Sequence, residues 1–204
     1  FSIIAYFNLN DYSGTYHLYN WFKLGDKAID FSILYDPLTA IMFLVVTIVS
    51  ALVHIFSIGY MHDDPKRARF FCYLSLFTFA MLMLVSAKNF IQLFLGWEGV
   101  GLCSYLLVGY YYSKPTANSA AIKAFLVNRV GDFGYLIAIA IIYKYFNSLN
   151  FEDVFKSALV LSKDYFIIGG IEFNILTTIT MFLFIAAVGK SAQIGLHVWL
   201  SDAM

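Results

Sequence analysis

The sequence predicts an all-α integral membrane protein of about five transmembrane helices, and three observations carry that prediction. First, the 204 residues are 61% hydrophobic and only 13% charged, with a mean hydropathy of +0.75; a soluble domain is nearer about half apolar and a quarter charged. Second, apolar runs recur along the chain, each long enough to cross a bilayer at about 1.5 Å per residue. Third, few charges fall inside those runs, as in membrane proteins that use intramembrane charge.

Residues 1–35 are the exception. Asn8, Asn10, Asp11, His17, Asn20, Lys23, Asp26, Lys27 and Asp30 interrupt them too often for a span, so they form an extramembrane segment. Aromatic and β-branched residues on either side of Leu24-Gly25-Asp26-Lys27 predict a β-hairpin with its turn at Gly25-Asp26. From 36 to 204 the chain reads as a transmembrane bundle. Asp36-Pro37 opens a helix, Asp36 as N-cap and Pro37 at the first helical position, and the first span covers 38–60. Within it His54 reads as a satisfied core histidine. A polar loop, 61–69, ends with Asp64-Pro65 opening the second span in the same way, over 70–87. Lys88-Asn89 is a tight turn before the third span, 89–112, and the loop 113–118 leads to the fourth, 120–146. In the connection that follows, Phe151, Val154, Phe155, Ala158 and Leu159 recur at helical spacing behind a capped start at Asn150, an amphipathic helix in the interface. Gly169-Gly170 ends this excursion, and the fifth span, 173–190, is broken near 190–195.

Lys66, Arg67, Arg69 and Lys114 fall on one side, which the positive-inside rule makes the matrix or cytoplasmic side. Thirteen basic and thirteen acidic residues leave no net charge, so a nucleic-acid partner is not expected. Cys72 and Cys103 have neither CxxC nor Cys/His spacing, which argues against a disulfide framework, a metal site or an iron–sulfur cluster. Gly99-Val100-Gly101 lacks the third glycine and the preceding strand of a dinucleotide fingerprint. No cofactor is expected in this chain. It opens on Phe1 with no charged n-region, so neither a signal peptide nor a translational start is expected there. Abundant Phe, Tyr, Ile, Asn and Lys, all with A/T-rich codons, point weakly to an organellar genome.

The chemistry concentrates at a few positions. Glu98 lies within Gly96-Trp97-Glu98-Gly99-Val100-Gly101, inside an otherwise apolar run. At membrane depth a charge costs roughly 2.5–3.5 kcal/mol even on lenient scales, so a function is expected; the plainer reading is a protonated carboxyl that helps helices pack. Lys190 ends the fifth run within Gly189-Lys190-Ser191-Ala192-Gln193-Ile194-Gly195, a polar, glycine-rich stretch suited to a broken helix lining a hydrated cavity. A buried Glu and Lys on facing helices hold protons that are easily redistributed, because desolvation and mutual attraction oppose one another. Arginine would not serve in place of Lys190, since it stays protonated. Arg129 and Asp132 stand three apart and can pair on one helix, for relay or for structure. Lys123 falls on the opposite face from Asp132, and a snorkelling role competes with a relay role. His197 extends the polar path or simply marks the interface.

Three stretches, GWEGVGLCSYLLVGYYY, AAIKAFLVNRVGDFG and AVGKSAQIGLHVWLSDAM, together with YDPLTAIM and HIFSIGYMHDD, resemble the family of subunit 5, the distal antiporter-like membrane-arm subunits of respiratory complex I (NADH:ubiquinone oxidoreductase). The resemblance covers roughly 30–204. It implies an antiporter-like bundle with inverted repeats, and a proton-translocating role driven by quinone reduction elsewhere in the complex. Glu98 and Lys190 would be the charged pair of the first half-channel, with Lys123, Arg129 and Asp132 at family positions on the neighbouring helix and Asp132 the one involved in coupling. The implied partners are other membrane-arm subunits, including a neighbouring antiporter-like subunit, and lipid, in the mitochondrial inner membrane. Relatives in the family run on beyond both ends of this chain, so a fragment or one piece of a split subunit is expected. Ser201 stands where proline or alanine is usual. The alternatives are a subunit of a multisubunit sodium/proton antiporter and a membrane scaffold without its own proton path.

Overall fold

The computed structural model describes residues 2–9, 13–25 and 27–203. In chain order the elements are α1 (Ser2–Phe7), β1 (Gly14–Leu24), β2 (Lys27–Tyr35), α2 (Pro37–Tyr60), α3 (Arg67–Val85), α4 (Phe90–Val108), α5 (Pro115–Phe146), α6 (Phe151–Ala158), β3 (Tyr165–Ile168), β4 (Ile171–Asn174), α7 (Ile175–Lys190) and α8 (Leu200–Ala203). Helices α2 to α5 are each long and apolar enough to cross a membrane. This is a helical integral membrane protein. The chain divides into two compact units, Phe1–Lys88 with Gln92–Cys103, and Asn89–Ile91 with Ser104–Met204.

In the first unit β1 and β2 form an antiparallel hairpin, paired from Gly14↔Tyr35 to Leu24↔Lys27. Gly25 takes φ +61 at the turn; its companion in the expected turn, Asp26, lies outside the described residues. Stacking of Tyr19 on Phe31, centroids 5.3 Å apart, stiffens the pair. The other edge of β2 is closed by residues distant in sequence. Leu34 N–H donates to Ser86 O at 2.9 Å, and Ile33 bridges to Ala87. Gln92 then acts as a short strand of its own: its Nε2 donates to Ser32 O at 2.7 Å and its Oε1 accepts from Ser32 N–H at 3.2 Å. Gln92 is 1% exposed. Gln92→Leu is therefore expected to orphan two buried backbone groups at about 1–3 kcal/mol each, read as faster hydrogen exchange of the Ser32 amide.

Helix α2 begins where Asp36 Oδ1 accepts from Thr39 N–H at 2.7 Å, with Pro37 in the first turn. Ala5, Tyr35 and Ala40 pack α1, β2 and α2 together. Helix α1 has no counterpart in the expected pattern, because its one buried side chain, Ala5, makes too faint a periodic signal. The Asp64-Pro65 opening does not hold. Asp64 Oδ1 accepts from Lys66 N–H at 2.7 Å in a local turn, and α3 starts at Arg67; arginines in a first turn keep their charge in the interface.

The second unit is built on α5 and α7. Helix α5 starts at Pro115, within the expected loop, since proline's fixed φ suits a first helical turn. It ends at Asn147, in the left-handed region at φ 48. Glycines let α7 close on it: a Cβ at Gly134 would stand 3.0 Å from Phe182 O, and one at Gly131 3.2 Å from Ala186 O. Helix α4 stops at Val108 rather than 112, as the chain turns at Gly109. In α6 the expected apolar face is split. Val154 is buried and Phe151 meets Phe90 at 4.7 Å, whereas Phe155 and Leu159 are exposed. Residues 165–174 form a second hairpin where only an ending was expected; Gly169 and Gly170, φ +60 and +85, supply its two-residue turn. It delays α7 to Ile175. At 16 residues, or about 24 Å, α7 is shorter than a bilayer core of about 30 Å.

Candidate functional site

Helix α7 ends at Lys190 through a complete Schellman closure. Gln193 N–H donates to Val188 O at 3.1 Å and Ala192 N–H to Gly189 O at 3.4 Å. The left-handed position of that closure, normally glycine, is held by Ala192 at φ 50. Trp199 Nε1 donates to the same Gly189 O at 3.1 Å, so that carbonyl accepts twice. Beyond a stretch without regular structure, His197–Trp199 forms a 3₁₀ turn and α8 follows. Ala192→Gly is expected to relax the closure by about 1 kcal/mol, read as slower exchange of the Ala192 and Gln193 amides.

The Lys190 ammonium at this break is sealed from solvent. The residue before it, Gly189, packs directly on Gly131 of α5; a Cβ at Gly189 would stand 3.2 Å from Gly131 Cα. Asp132, the next residue of α5, is 4% exposed, and Asn128, one turn earlier, is 5% exposed. The crossing thus joins the two helices at a glycine pair, Gly189 and Gly131, each next in the chain to a buried ionisable residue, Lys190 and Asp132. Arg129, three residues before Asp132, is exposed, and its guanidinium lies 4.7 Å over the Phe125 ring.

Lys123 does not simply snorkel. Its Nζ donates to Asp202 Oδ2 at 2.7 Å, tying α5 to α8 across 79 residues. Both side chains are nearly half exposed, so the pair is worth little as stability and more as a tether for the segment after the break. His197 is exposed and lines a cleft of about 540 Å³ with Phe184, Val188, Ala192, Gln193 and Ile194. Glu98 lies in the first unit, half-buried on α4, with one carboxylate oxygen sealed from solvent. Gly96 and Gly99 beside it face α3: a Cβ at Gly96 would stand 2.6 Å from Leu84 Cα, and one at Gly99 3.1 Å from Ala80 Cβ.

Sequence reasoning missed Gln92, Asp202, Trp199 and the partners of His54. Gln92 carried a signal, since a lone amide in an apolar run must find partners. Asp202 and the contact of His54 with Ser75 carried none, because their partners lie 79 and 21 residues away.

These features define a class: a multi-pass membrane protein whose helices seal charged side chains beside glycine crossings and a helix break. A family model described as NADH:quinone oxidoreductase/Mrp antiporter, TM, matches residues 87–204, and one described as NADH-Ubiquinone oxidoreductase (complex I), chain 5 N-terminus, matches 21–71. The chain belongs to this NADH:quinone oxidoreductase/Mrp antiporter family. It is 52% identical over 206 residues to NADH-quinone oxidoreductase subunit L of Rickettsia bellii (strain RML369-C), covering 100% of this chain and 32% of the relative. It is 48% identical to NADH-ubiquinone oxidoreductase chain 5 of Chondrus crispus, over 100% of this chain and 31% of that one. The chain thus spans about a third of the length of the curated relatives it matches. Its fold is similar to a chain of the Mrp complex from Dietzia sp. DQ12-45-1b, with a TM-score of 0.83 at 23% identity, over 99% of this chain and 21% of that one.

Proposed function

We propose that this chain is part of a proton-translocating, non-redox subunit in the membrane arm of an NADH:quinone oxidoreductase. The observation that carries the reading is the sealed Lys190 amino group at a helix end whose preceding residue, Gly189, packs on Gly131 of α5, next in the chain to the buried Asp132. A lysine there exchanges protons with a hydrated path on one side and is neutralised by carboxylates on the other. In this reading Lys190 holds and releases the proton and Glu98 supplies compensating charge. Asp132, with Arg129, couples to neighbouring charges, while Lys123 and His197 shape the path around the break. The chain carries no redox centre and responds to quinone reduction elsewhere. Its partners are other membrane-arm subunits, a neighbouring antiporter-like subunit among them, and its location is the mitochondrial inner membrane.

The fold similarity to an Mrp complex chain favours a second reading, a subunit of a sodium/proton antiporter. The two separate in membrane vesicles holding the full assembly. The first expects proton uptake that starts on adding NADH and needs no sodium; uptake driven by a sodium gradient and indifferent to NADH overturns it.

A further inference from the structure

Helix α2 carries Thr47, Ser50, His54 and Ser57 at spacings of three, four and three, one polar line in a helix with no Asp, Glu, Lys or Arg. His54 and Ser50 of that line meet Ser75 and Thr78 of α3, and the hydrogen bonds order head to tail from Ser75 through His54 and Ser50 to Thr78. His54 Nδ1 lies 2.8 Å from Ser50 O. A carbonyl only accepts, so Nδ1 carries the proton and Nε2 is left as the acceptor. Ser75 Oγ stands 3.4 Å from that Nε2. Thr78 Oγ1 donates to Leu74 O at 3.0 Å, which leaves it to accept from Ser50 Oγ at 2.7 Å. Ser50 Oγ in turn lies 3.3 Å from His54 Nδ1. Ser50, His54 and Thr78 are half-buried, and Ser75 is the exposed end.

We infer that His54 is a proton-holding group in the first unit, separate from the Glu98 and Lys190 positions, with Ser75 and Ser50–Thr78 as its two hydrogen-bonded sides. A proton arriving beside Ser75 binds Nε2. The Nδ1 proton then passes to Ser50 Oγ as Ser50 gives its own to Thr78 Oγ1 and Thr78 gives the proton it holds on Leu74 O to a water molecule, so one proton enters at Nε2, one leaves on that water and the ring ends neutral with its proton on Nε2. His54 lies six residues from the end of α2, about 9 Å at the helical rise. Ser50 is one turn deeper, so the line reaches inward from one end of the span. Polar side chains also serve as packing glue between membrane helices at about 0.6 kcal/mol each, but glue needs only hydrogen bonds and not a ring that can carry a proton on either of two nitrogens.

The inference rests on the proton-translocating reading above, and the test separates them. His54→Gln keeps an amide donor and acceptor and removes the ring that could carry the proton. In vesicles holding the full assembly it is expected to lower proton uptake per NADH oxidised, whereas uptake equal to wild type overturns the inference. If that variant does not assemble, Thr78→Val and Ser75→Ala decide, since each leaves the ring in place and cuts one side of the line. Lowered uptake in either supports the relay, and wild-type uptake in both overturns it. Lys190→Ala is run in parallel. Loss there with normal uptake in the His54 and hydroxyl variants removes only this inference; normal uptake in every variant removes both readings.

Discussion

Lys190→Ala is expected to cut the rate of NADH-driven proton uptake by about tenfold or more, the scale of losing a positioned acid–base group. The assembled complex should still be present at a normal level. The side chain sits at the last residue of α7, so its loss leaves the Schellman closure and the Trp199 bond to Gly189 O intact. Lys190→Arg discriminates between roles. Arginine restores the positive charge but holds its proton at all working pH values, so it should pump as poorly as alanine if the lysine must release a proton. Rescue by arginine would mean that Lys190 supplies charge only. Glu98→Gln should lower uptake less. Its effect should be less than additive with Lys190→Ala if the two act on one proton. Normal uptake in all three variants, with normal assembly, would leave the scaffold reading standing.

Gly96→Ala is expected to be the most damaging small substitution in the first unit, costing roughly 3 kcal/mol or more as an overpacked contact. The added carbon would stand 2.6 Å from both Leu84 Cα and Leu84 N, and backbone cannot swing aside as a side-chain tip can. Helices α3 and α4 would have to separate just beside Glu98, so chain accumulation should fall. Gly99→Ala is the control. Its carbon meets only the Ala80 Cβ, at 3.1 Å, which a shift of a few tenths of an ångström relieves, and it should accumulate near the wild-type level. Equal loss in both variants would mean that glycine flexibility, not the Leu84 contact, is what α4 needs.

Much of the architecture is local and therefore legible in the sequence. Hydropathy over 37–60, the Asp36-Pro37 cap and the Gly25 turn each depend on neighbours within a few residues. So does the helix end at Lys190, set by a cap confined to 188–193. Boundaries failed where local signals conflicted: Pro115 reads equally as loop or first turn, and Gly169-Gly170 as an ending or a hairpin tip. Only the tertiary structure decided which side chains meet. Ser32 and Gln92 are 60 residues apart and Lys123 and Asp202 are 79 apart. Their partnerships depend on how each helix is rotated about its axis and where it crosses its neighbour. His54 shows the same division. Its imidazole in an apolar span is plain in the sequence, but that it faces Ser75 and, through Ser50, Thr78 follows from the rotation of α2 against α3. Composition and periodicity set how long an element is and how apolar; the crossing geometry, fixed by small residues such as Gly96 and Gly131, sets its partners.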